Sequence, residues 1–82
     1  MKVKICSCQK TIFQDEAKEV ILPGFDGEFS VMDFHESCLY ALRQGQIKVT
    51  PRDSSKGKEK FFIKAGLAQV ELDKLNLIVE PV

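Results

Sequence analysis

Every apolar run in this chain is short, alternates with polar residues, and is cut by Gly, Pro or Asp before a helical stripe can form. Gln46-Ile47-Lys48-Val49-Thr50 is the cleanest case, with Ile47 and Val49 on one side and Pro51 as the stop. The same period of two returns in Val3 and Ile5, in Phe61 and Ile63, and in Leu75, Leu77 and Val79. No stretch sustains the 3.6-residue period of an amphipathic helix, and turn signals recur roughly every 8 to 12 residues. The pattern predicts an all-β chain, a two-sheet antiparallel β-sandwich or flattened barrel of about 8 to 10 short strands. With 82 residues, a single domain over 1–82 is expected, since two facing sheets are an economical way for so short a chain to cover its apolar faces.

Taken in order, Thr11-Ile12-Phe13 is a brief strand that Gln14-Asp15-Glu16 ends. Ala17 to Leu22 is the next, with Val20 and Leu22 inward, Lys18 on the same face, and Pro23-Gly24 closing it. After Asp26-Gly27, Phe29 and Val31 share one parity and Glu28, Ser30 and Met32 the other; a loop from Asp33 to Ser37 follows. Cys38 to Leu42 reads as a short strand or an irregular turn under the core. Pro51 to Lys60 is a polar hairpin loop, and Gly66 separates the Phe61–Lys64 strand from Leu67–Leu72. The expected inward set is Val20, Leu22, Ile47, Val49, Phe61, Ile63, Val70, Leu72, Leu77 and Val79, with Phe62 facing outward from the strand that buries Phe61.

Twelve basic and twelve acidic side chains cancel, so the overall balance gives no reason to expect phosphate backbones, anionic lipid or a strongly charged substrate as partner. No apolar run approaches the roughly 18 residues that span a bilayer. Three cysteines are an odd number, and Cys6 and Cys8 lie too close for an ordinary bridge, which fits a reducing compartment better than a disulfide framework.

Three kinds of chemistry can be weighed on residue type. Cys6, Cys8, His35 and Cys38 are the soft ligands of a zinc site, but one residue between two strand cysteines sets them about 7 Å apart, a poor knuckle. No metal is expected. His35 and Cys38 with Glu28 or Glu36 match cysteine–histidine catalysis in type, yet nothing lowers the thiol pKa and the chain is too short for a deep cleft, so no catalytic residue is assigned. Arg52, Lys56, Lys58 and Lys60 beside Phe61 and Phe62 suggest a small nucleic-acid surface, interrupted by Asp53 and Glu59. No phosphate-cradling glycine motif is present, and no cofactor is expected.

An interaction module remains. Pro23 to His35 gathers two glycines and Phe25, Phe29 and Phe34 between two strand patterns, so four large apolar side chains, with Met32, crowd about Glu28. That is more than one end of a small core readily absorbs, and part of it should face a partner.

The order of motifs resembles the N-terminal β-sandwich domain of the epsilon subunit of F-type ATP synthase. The residues that carry the resemblance are Ser7-Cys8-Gln9-Lys10-Thr11-Ile12-Phe13, Ala17 to Gly24, Asp26-Gly27-Glu28-Phe29, His35, Leu42-Arg43-Gln44-Gly45-Gln46-Ile47, and Phe61 to Val70, covering essentially the whole chain. The resemblance implies a non-catalytic subunit of the central stalk that clasps the gamma subunit and rests on the c-ring, so that proton-driven rotation reaches the catalytic head. Carried over by position, Phe34, His35, Cys38, Leu39 and Leu42 are the implied gamma contacts, and Asp26, Glu28, Ser30 and Met32 the implied c-ring contacts. It also implies a peripheral place on the cytoplasmic face of a bacterial inner membrane, or the organellar equivalent, and no direct nucleic-acid partner. Ser30, Ser37 and Gln44 stand where the family usually has Gly, Pro and Pro. Typical members continue into a C-terminal helical hairpin that restrains hydrolysis; with the sequence ending at Val82, that role is not assigned.

Overall fold

A computed structural model describes residues 1–33 and 36–82. Among the described residues there are seven strands and no helix: β1 (Lys2–Cys6), β2 (Thr11–Gly24), β3 (Gly27–Met32), β4 (Cys38–Leu42), β5 (Gly45–Pro51), β6 (Glu59–Val70) and β7 (Lys74–Pro81). The pairings β1–β2, β2–β5, β5–β6, β6–β7 and β7–β1 close a circuit, so the two sheets are the flattened sides of one barrel. β3 adds to β2 and β4 adds to β6. The pairs are antiparallel except β1–β7, which is parallel.

Fewer and longer strands replace the expected eight to ten because two predicted breaks are bends. Gln14-Asp15-Glu16 does not end a strand; it pairs with Lys4, Val3 and Lys2 and lies inside β2. Gly66 pairs with Leu42 on one side and Val79 on the other, inside β6. Both long strands carry a bulge, at Lys18 between Ala17 and Glu19 and again between Ile63 and Ala65. Each bulge shifts the inward parity by one residue and bends the strand from one sheet into the other. In β2 the inward positions pass from Phe13 and Ala17 to Val20 and Leu22, which corrects the face given to Lys18: Ala17 is buried and Lys18 is exposed. In β6 they pass from Phe61 and Ile63 to Ala68 and Val70.

The core contains Val3, Ile5, Val20, Leu22, Val31, Ile47, Val49, Ile63, Val70, Leu75, Leu77 and Val79. Phe61 is half-buried and packs on Phe13 with ring centroids 5.2 Å apart, while Phe62 is exposed, as its opposite parity requires. Leu72 is the one expected core residue found in solvent, 64% exposed, because β6 ends at Val70 and alternation has no meaning in the turn beyond it.

Candidate interaction surfaces

The β2–β3 hairpin turns through Phe25 and Asp26 between the paired residues Gly24 and Gly27. Gly27 holds φ at +116°, where a side chain would be strained. Alternation along β3 then buries Val31, half-buries Phe29 against Tyr40 at 4.6 Å between centroids, and leaves Glu28, Ser30 and Met32 outside. Asp26, Glu28, Ser30 and Met32 are thus all exposed, and Phe25 at the turn is 67% exposed. The polar pair is not free: Lys48 Nζ donates to Glu28 Oε2 at 3.1 Å, and the Ser30 hydroxyl donates to Glu19. The tip is therefore a dipolar, partly apolar surface and not an isolated anion.

Beside it stands β4, whose outward residues are Leu39, 65% exposed, and Ala41. A groove of about 360 Å³ lined by Phe25, Glu28, Phe29, Leu39, Tyr40 and Ala41 joins β4 to the tip. Cys38 is exposed at the strand's start. Leu42 is 2% exposed, at the junction where it pairs with both Gly24 and Gly66. This removes Leu42 from the contact set expected from sequence: it shares parity with Tyr40 and points inward, so its side chain offers no surface. Phe34 and His35, the other two expected contacts, lie outside the described residues.

A larger surface was missed at the sequence level because it is assembled from four strands far apart in the chain. In the sheet order β4–β6–β7–β1, Ala41 pairs with Leu67, Leu67 with Ile78 and Ile78 with Cys6. All four are on the outward parity, so an apolar row crosses the outer face; Leu67 is 48% and Ile78 61% exposed. The groove along it, about 590 Å³, is lined by Cys8, Ala65, Leu67, Ile78 and Pro81, among others. The next row, Leu39–Gln69–Asn76–Lys4, is mostly polar and uncharged before Lys4. The outward alternation in each strand was readable; that these positions align across strands was not.

The basic and sulfur-bearing residues do not converge. Arg52 Nη2 donates to Asp33 and Lys56 Nζ to Asp15 at 2.9 Å, while Phe61 points inward, so the proposed nucleic-acid surface is split and partly neutralised. Asp33 also accepts from the Met1 α-ammonium, which itself donates to the Ala17 carbonyl at 3.0 Å. The α-ammonium and then Arg52 hold the Asp33 carboxyl below the usual carboxylate range, and Lys56 does the same for Asp15. Cys6 on β1 and Cys38 on β4 are separated by β7 and β6, three strand spacings or about 14 Å across the sheet, and Cys38 is offset a further three residues along β4 from Ala41, which stands level with Cys6. Among the described residues no group of three His, Cys, Asp or Glu side chains is placed to hold a metal ion.

Comparison with known proteins agrees with this geometry. Residues 1–82 match the beta-sandwich domain family of the ATP synthase Delta/Epsilon chain. The ATP synthase epsilon chain of Chlorobium limicola is 36% identical over 81 residues, covering 99% of this chain and 90% of that protein. The epsilon chain of Rickettsia bellii is 32% identical over 80 residues, covering 98% and 74%. A chain in the central stalk and c-ring structure of Tetrahymena thermophila mitochondrial ATP synthase superposes with a TM-score of 0.81 at 17% identity, over 98% of this chain and 63% of that one, a likeness of fold.

Proposed function

The chain belongs to the β-sandwich family of ATP synthase delta and epsilon chains, and on that premise we propose that it works as a central-stalk subunit of the rotor. In this reading it is an accessory subunit without catalytic residues or cofactor, held peripherally in the complex on the cytoplasmic face of a bacterial inner membrane or its organellar equivalent. It clasps the gamma subunit, rests on the c-ring and couples proton-driven rotation to ATP synthesis.

The observation that carries the reading is the apolar row Ala41–Leu67–Ile78–Cys6, left uncovered on a domain that has a complete core beneath it. Exposed apolar side chains aligned across four strands mark a surface that a protein partner covers. Gamma is assigned to this face and to the stretch 34 to 42, with Phe34, His35, Cys38 and Leu39 as its contacts. The c-ring is assigned to the hairpin tip with Asp26, Glu28, Ser30 and Met32.

The barrel suits torque transmission for a physical reason. A closed circuit of strands leaves little room for one sheet to slide past the other, so load applied at the tip reaches the outer face through β2 and β6, which belong to both sheets. Two weak contacts on one rigid body also raise each other's effective concentration.

Co-purification with gamma tests the reading. The wild-type chain should form a stable complex with purified gamma, and Ile78→Asp, which places a charge in the middle of the apolar row, should abolish it without loss of the β circular-dichroism signal. Absence of any wild-type complex with gamma or with c-ring-containing membranes rejects the function.

A further inference from the structure

The outer face that carries the apolar row is electrically lopsided. At one end Lys2 and Lys74 are direct partners in the parallel β1–β7 ladder, and Lys4 follows one step along, opposite Asn76 and Gln14. All three lysines are exposed and outward, and among the described residues none makes an ion pair. At the other end of the same face, beyond Ile78, stands Glu80 opposite Ala65.

Like charges set directly opposite each other across two strands are destabilising. The chain has a second such pair, Lys48 opposite Lys60, and there Glu28 relieves it by bonding Lys48. Lys2 and Lys74 have no such ion pair: the exposed Glu71 and Asp73 stand in the turn beside them, where Glu71 N donates to the Lys74 carbonyl and Lys2 N to the Asp73 carbonyl, but neither carboxylate bonds a lysine ammonium. Glu16 pairs with Lys2 across β1–β2, but its carboxylate lies 3.9 Å from both the Met1 α-ammonium and Arg52. Asp15, on the neighbouring edge, is engaged by Lys56. A groove of about 500 Å³ opens among Lys2, Lys4, Lys74, Gln14 and Asn76, with the already engaged Asp15 and Glu16 on its wall.

We propose that Lys2, Lys4 and Lys74 form a docking site for an acidic patch on the protein that covers the apolar row, and that they set its approach and register. The proposal rests on the reading of that row as the gamma-binding face. Apolar contact alone is non-directional, and a row of four side chains on a flat sheet specifies neither which way round a partner lies nor where along the strands it stops. A positive end and a negative end on the same face supply that direction. They also favour a protein over an anionic lipid surface, which is negative throughout and would repel Glu80.

The test is the association rate of the chain with purified gamma subunit across a salt series. Wild type should associate fastest at low salt and slow as salt rises. Lys2→Gln/Lys4→Gln/Lys74→Gln should associate at least about tenfold more slowly at low salt and show a flattened salt dependence. The two should converge near 1 M salt, where the screening length is about 3 Å. Dissociation should change little, and the thermal midpoint should hold or rise, because a repulsive pair has been removed; Lys74→Gln alone should show a fraction of the kinetic effect.

If wild type binds gamma but the triple variant keeps its rate and salt dependence, the docking site is rejected and the gamma-binding reading stands. If wild type does not bind gamma, the reading fails and the inference with it. Lysine-dependent binding to phosphatidylglycerol vesicles, with gamma association indifferent to the lysines, overturns the proposal in favour of a membrane contact.

Discussion

Gly45 lies against Pro23 so closely that a Cβ on the glycine would come within 2.8 Å of the proline Cβ. Pro23 is buried in β2 beside the hairpin turn, and Gly45 opens β5 opposite Ile63, so the contact fixes how closely the start of β5 approaches the strand that carries the tip. Gly45→Ala should cost about 1 to 3 kcal/mol, the range for forcing an extra carbon into a packed site. Gly57, with nothing within 4 Å of its Cβ position and no left-handed backbone, is the control. Gly57→Ala should be neutral or stabilising by less than about 1 kcal/mol in the same urea titration.

What the sequence made legible was the class of fold and the buried face of most strands. Ile47 and Val49, Leu77 and Val79, Val20 and Leu22 are inward because alternation is a local signal that a strand cannot escape. What it hid were the two bulges. At Lys18 and again after Ile63 a single extra residue reverses the parity, and nothing in the side chains there distinguishes a bulge from a break. Polar Gln14-Asp15-Glu16 read as the end of a strand although it lies within β2, where Asp15 on the inward parity finds Lys56 at the barrel's rim. The hairpin tip was legible because all its residues are consecutive. The apolar row and the lysine corner were not, because each takes one residue from each of several strands and depends on register.

Leu72 and Leu77 separate a pattern that ends from one that continues. Leu77→Ala should destabilise by about 2 to 5 kcal/mol, since its side chain is 1% exposed and the cavity would be walled by both sheets. Leu72→Ala should stay within about 0.5 kcal/mol, as a turn residue largely in water. Equal losses in chemical denaturation would place Leu72 back in the core.

Acid should weaken the fold through Asp33 and Asp15. Both carboxyls are held below their ordinary value, Asp33 by the Met1 α-ammonium and Arg52 and Asp15 by Lys56. A depressed carboxylate adds stability that is present at neutral pH and is lost as pH falls from the ordinary carboxylate value, near 4, through the folded one. Arg52 and Lys56 are shifted upward and stay charged throughout that window. Asp33→Asn should therefore have a lower thermal midpoint than wild type at pH 7, and the gap should begin to close near pH 4 and narrow as the pH falls further. A gap that stays constant from pH 7 to pH 3 would mean the ion pairs contribute nothing to stability.

Glu28 is exposed at the tip, bonded to Lys48 at 3.1 Å, and stands outside the row assigned to gamma. Exposed ion pairs contribute little to stability, so Glu28→Gln should leave the thermal midpoint nearly unchanged. It does alter what the tip presents, by freeing Lys48 beside Lys60 and leaving Asp26 as the carboxylate of the turn. Binding to isolated gamma should persist within about twofold, whereas attachment to c-ring-containing membranes should weaken by roughly tenfold, the scale of a lost charged contact of about 1.4 kcal/mol. Ile78→Asp should show the opposite pattern, losing gamma while the tip remains intact. If Glu28→Gln and Ile78→Asp impair both partners equally, the division of this domain into a ring-facing tip and a gamma-facing sheet is wrong.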